Sequence, residues 1–200
     1  MTLAVSAIST TGQPTDRPEQ IAELAAACRD HVKRAVGVAL DDTPETLPLL
    51  DHYLALCRTS VTERPEVLDL LVRTTGAYFG EVLRIRLGGF WWSCSEDPSA
   101  WLMCSRSVFL AINPFGVAHE ALHQGVNVEG PSSEVRIAPE CQQSVEARLS
   151  RLPSVSEPDY YLLSTRLEAL EIIAEASRVV RLTGRTQQHE LTQEDYEQEL

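Results

Sequence analysis

Gly88-Gly89-Phe90-Trp91-Trp92, followed by Trp101-Leu102-Met103-Cys104 and Ser107-Val108-Phe109-Leu110-Ala111-Ile112, is where the hydrophobic period of this chain changes. Upstream, apolar residues recur at helical spacing. Here they form short runs rich in aromatic and β-branched residues, the pattern of strands. Asp97-Pro98-Ser99 supplies a turn within the run. The paired glycines stop the helix ahead of it. A strand cluster set between helices gives an α+β class: a single domain, several helices packed on a small antiparallel sheet.

Working outward, a helix starts near Pro18, with Ile21, Leu24, Ala25 and Cys28 on one stripe. Thr43 and Pro44 open a second helix carrying Leu47, Leu50, Tyr53, Leu54 and Cys57. A longer helix follows from about Thr62 to Leu87, with Gly76 and Gly80 in its middle. Each glycine costs about 1 kcal/mol relative to alanine in a helix, so the pair marks close packing by a second element, or a groove that takes a ligand. Glu81 is placed to pair with Arg84 or another arginine.

Downstream, Asn113-Pro114 begins a short helix that stops at Gly125, Val135 to Ile137 reads as an edge strand, and Pro139 to Leu149 as a helix. Ser156 with Asp159 resembles a capping box at the start of a long helix closed by Gly184. Residues 1–17 read as a disordered N-terminal segment, 18–184 as the domain, and 185–200 as an acidic, disordered tail.

The net charge is −12, with one lysine, Lys33, against sixteen arginines. That balance argues against nucleic acid and anionic membrane as partners. It favours docking on a basic protein. With no apolar run of about 18 residues, no membrane span is expected. The start of the chain carries no secretory pattern, and the five cysteines are dispersed with no C-x-x-C pair. A cytoplasmic protein is the expectation.

His119-Glu120-Ala121-Leu122-His123 matches H-E-x-x-H, the zinc-peptidase motif. On a helix His119 and His123 share a face and can hold one ion, while Glu120 can take a proton from metal-bound water. A catalytic zinc needs a third protein ligand. Glu140 is the leading candidate, with Glu146 or Glu129 as alternatives. The resemblance covers five residues; Val126 and Glu129 stand where the metzincin pattern has glycine and histidine. Without metal, Phe115, Ala118, Leu122 and Val126 already give this helix an apolar face, with the histidines at its margin.

Alternation sends Trp91 and Trp92 to opposite faces of the sheet, so one of them is a candidate contact for a partner protein. More broadly, Gly76-Ala77-Tyr78-Phe79-Gly80-Glu81, then Gly88-Gly89-Phe90-Trp91 and a strand ending Asn113-Pro114-Phe115, resembles a group of uncharacterised bacterial α+β domains. That resemblance implies a scaffold without an assigned reaction. Two functional readings lead, with a small-ligand sensor using the groove beside Gly76 and Gly80 as a third. The first is a non-enzymatic protein-binding domain without cofactor, for instance an acidic inhibitor or immunity-type protein masking a basic partner. The second is a zinc-dependent metallohydrolase using His119, Glu120 and His123.

Overall fold

The computed structural model describes residues 16–126, 130–183 and 189–199. Helix α1 (Glu19–Val36) buries Ile21, Ala25, Cys28 and Val32, the spacing of one helical stripe. Each large side chain buried this way contributes about 1.5–3 kcal/mol. The stripe packs on α3 (Pro65–Leu87), which follows α2 (Leu47–Glu63) and ends at Gly88 in the left-handed conformation. The chain then enters an antiparallel sheet of strands β1 (Gly89–Trp92), β2 (Leu102–Ser105), β3 (Leu110–Ile112) and β4 (Arg136–Ile137), in that order. Helix α4 (Pro114–His123) lies between β3 and β4 in sequence and packs on α3. Helix α5 (Gln142–Leu149), the short α6 (Glu157–Tyr160), α7 (Leu163–Thr183) and α8 (Gln193–Glu199) complete a single-domain α+β fold.

The glycine pair of α3 is explained by what crosses it. A β-carbon at residue 76 would lie 2.6 Å from Phe115 Cδ1 and 2.8 Å from Phe115 Cα, and one at residue 80 would enter the Trp91 ring. Bare backbone therefore lets α4 and β1 approach. The groove anticipated beside the glycines is filled by these two side chains, not open to a ligand.

Pairing sets Phe90 opposite Cys104, Trp91 opposite Met103 and Cys104 opposite Ala111. With a period of two, Trp91, Met103, Leu110 and Ile112 face the helical core. Phe90, Leu102, Cys104 and Ala111 face the other way, and Tyr196 of α8 covers them.

Three expectations are corrected. The tail does not read as disordered over 189–199: α8 forms there and Tyr196 is fully buried. The Tyr196 hydroxyl accepts from the Leu110 amide at 3.0 Å and lies 2.7 Å from the Ser105 carbonyl. The strand expected from Ser107 begins at Leu110; ahead of it the chain turns, with Ser107 N donating to Ser105 Oγ at 3.3 Å in place of a ladder bond. Finally, the long helix expected after Ser156 is split at Tyr161-Leu162. The Asp51 carboxylate, from α2, accepts from Leu163 N at 2.7 Å and from Ser164 N and Oγ at 3.2 and 2.7 Å. A cap supplied from another helix starts α7 anew.

Candidate functional site

Asn113 builds the helix that carries the histidines. Its Oδ1 accepts from Phe115 N at 2.8 Å and Gly116 N at 3.0 Å, and its Nδ2 donates to Ser99 O at 2.7 Å. The helix therefore starts at Pro114, anchored to the loop ahead of β2. Four residues apart, His119 and His123 stand one above the other with ring centroids 4.5 Å apart. His119 Nδ1 is buried with no hydrogen-bond partner among the described residues. Burial, and then the neighbouring His123, lower the His119 pKa.

Glu120 does not join the histidines. Its carboxylate is buried and ion-paired to Arg166 of α7, Nη2 to Oε2 3.1 Å. The same guanidinium donates to Ser133 Oγ at 3.0 Å and stacks over the Tyr160 ring. A general base must reach the water it activates; this carboxylate is held by a cation on another helix.

The candidate third ligands are placed as follows. Glu140 is exposed in the turn before α5 and lines a cavity with Ser177 and Thr183. Ser177 lies about 16 Å further along the α7 axis than Arg166, at 1.5 Å per residue. Glu146 is exposed on α5. Glu129 lies outside the described residues. Among the described residues no three His, Cys, Asp or Glu side chains are grouped to hold a metal ion.

The tryptophans divide as the alternation required. Trp91 is buried and its Nε1 donates to Glu81 Oε1 at 2.8 Å, so it offers a partner nothing. Trp92 is the half-exposed one, packed against the Phe90 side of the sheet. Glu81 is also held by Arg84 Nε at 3.0 Å and Arg17 Nε at 2.9 Å. This buried carboxylate fastens the residues before α1, the glycine helix and β1 to one point.

With Glu81, Glu120 and Asp51 engaged inside, the excess negative charge lies on the surface. One concentration is on α7. Glu168, Glu171 and Glu175 follow the 3–4 spacing of one helix face and, with Ile172 and Arg148, line a shallow depression of about 350 Å³. Glu171 pairs with Arg86 and Glu175 with Arg178, whereas Glu168 has no ion pair among the described residues. This stripe was missed in the sequence. Its signal was there: three glutamates spaced three and four apart, opposite Leu167, Leu170, Ile173 and Ala174.

A family model described as a family of unknown function (DUF6278) matches residues 3–111, more than half of the chain, and the chain belongs to that family. The matched stretch includes Gly76, Gly80, Glu81 and Trp91 and ends within β3, before the helix of His119 and His123. No curated protein and no solved structure matches the chain. No helix among the described residues is long and apolar enough to cross a membrane.

Proposed function

We propose that the chain is a non-enzymatic, cytoplasmic protein-binding domain that docks a basic partner on the acidic face of α7. The supporting observation is the placement of charge. The internal carboxylates are consumed by arginines, an indole and a helix start, while Glu168, Glu171 and Glu175 line one external depression beside Arg148, with Glu171 and Glu175 in exposed arginine pairs and Glu168 with no ion pair among the described residues. Such a face attracts a basic protein and excludes acidic ones by like-charge repulsion. All five cysteines are free thiols, which fits a reducing compartment. An acidic inhibitor or immunity-type role is the specific version of this reading. Against the hydrolase alternative stands the engagement of Glu120 by Arg166.

The test is capture from a lysate on the immobilised chain at low ionic strength, followed by elution with salt. A basic protein that elutes with salt and is lost with Glu168→Gln/Glu175→Gln supports the reading. Recovery of no basic protein, or of one indifferent to salt, overturns it.

A further inference from the structure

Two adjoining cavities lie where the C-terminal half of α7 meets the turn between β2 and β3. One, of about 550 Å³, has apolar walls from Val108, Phe109, Ala138, Val180 and Leu191. The second, of about 230 Å³, is lined by Arg106, Ser107, Arg178 and Leu182. Arg181 and His189 line both and mark the junction. The larger volume falls within the roughly 300–1,000 Å³ of small-molecule pockets.

The two chambers differ in chemistry. In the apolar one, Ser177 is 1 % exposed and its hydroxyl lies beside the Cys141 thiol. In the polar one, Arg106 is paired with Asp16 and Arg178 with Glu175. Arg181 has no carboxylate among the described residues: Nη1 donates to Ser107 O and Nη2 to His189 O. Five guanidinium N–H groups less these two leave three donors on a side chain fixed by two carbonyls. The connecting residues 184–188, Gly-Arg-Thr-Gln-Gln, contain no acid. The carboxylates that line the cavities, Glu140 and Glu190, are both exposed and neither is ion-paired to these arginines.

The geometry points to a binding site for a small apolar carboxylate. Its hydrocarbon body lies between Phe109, Val180 and Leu191, and its carboxylate on the guanidinium of Arg181. A carboxylate accepts from arginine through charge-assisted, paired N–H donors, and water is excluded on the apolar side. The site is separate from the glutamate stripe of α7 and does not depend on a protein partner.

The test uses the full chain and three eight-carbon probes, octanoate, 1-octanol and octylamine, titrated by calorimetry. Octanoate is expected to bind saturably, at least about tenfold more tightly than octanol, the factor that one charge-assisted bond supplies. Octylamine is expected to be weakest. In Arg181→Gln, checked for fold by circular dichroism, octanoate affinity is expected to drop to that of octanol while octanol is unchanged. Absence of saturable octanoate binding, or equal affinity for octanoate and octanol, overturns the proposal. The wild-type series decides it even where the variant does not fold.

Discussion

Replacing Gly80 with alanine separates the role given to it here from that of an ordinary helix glycine. On propensity alone the change stabilises a helix by about 1 kcal/mol. In this fold the new β-carbon would stand under 3.0 Å from Trp91 Cζ2 and Cη2, with Pro114 Cγ at 3.0 Å on its other side. The indole has to move, and overpacking of this kind costs about 1–3 kcal/mol. Moving it breaks the 2.8 Å bond from Trp91 Nε1 to the buried Glu81 carboxylate, another loss of about 1.5–3 kcal/mol for a bond to a charged group. The expected net is a destabilisation of about 3 kcal/mol, or about 6–12 °C in Tm for a domain of this size. Urea unfolding with a thermal scan measures it. Trp91→Phe vacates the contested space, so Gly80→Ala on that background should cost markedly less, a coupling that a double-mutant cycle reads directly. A Gly80→Ala protein as stable as the parent, or more stable, refutes the close-approach argument.

Four further outcomes are expected. Glu120→Leu should cost about 3 kcal/mol by leaving Arg166 buried and unpaired, and Glu120→Leu/Arg166→Met should recover most of it; a double variant no more stable than the single one contradicts the ion-pair role. Tyr196→Phe should lose about 1–3 kcal/mol because the Leu110 amide is left without its acceptor. Removing residues 189–200 should make Cys104 reactive to maleimide, and unchanged protection would show that α8 does not cover the sheet. The lowered pKa of His119 means that the folded chain binds fewer protons than the unfolded chain between that pKa and the usual value of about 6.5. Stability should therefore fall as pH drops through this window, and His119→Gln should flatten the profile; an NMR titration of the His119 ring at or above 6.5 would contradict it.

What was legible in the sequence was what local pattern encodes. The stripe of α1, the stop at Gly88 and the Asn113-Pro114 start of α4 follow from spacing and capping chemistry, and each forms as expected. The Thr43-Pro44 start holds only in part: Pro44–Thr46 is a 3-10 turn, the Thr43 hydroxyl donates to Asp41 Oδ1 instead of capping, and α2 begins at Leu47. The alternation of Trp91 and Trp92 holds because a strand has a period of two. Glu81 drew attention as an arginine partner, but its bond to Trp91 depends on register between a helix and a strand. The pairing of Glu120 with Arg166 spans 46 residues, and no local rule anticipates it. The H-E-x-x-H spacing does place its histidines on one face, yet spacing says nothing of where the glutamate between them turns. Helix α8 was passed over because one aromatic in a polar segment gives almost no periodic signal. Its start was nevertheless written: the Asp195 carboxylate accepts from Thr192 N at 2.7 Å and Thr192 Oγ1 at 2.9 Å, a capping arrangement three residues apart. Likewise Asp51, four residues into α2, gave no sign that it would cap a helix more than a hundred residues away.

The most direct test of basic-partner docking on α7 is a titration of decaarginine against three proteins: the parent, Glu168→Gln/Glu175→Gln on α7, and Glu194→Gln/Glu197→Gln on α8. The two variants carry the same net charge. The α7 variant is expected to bind about tenfold more weakly than the parent while the α8 variant matches the parent. The parent's affinity should collapse between 0.01 and 0.15 M salt, where the Debye length shrinks from about 30 to about 8 Å. Equal weakening by both variants, or binding that ignores salt, would contradict a docking face on α7.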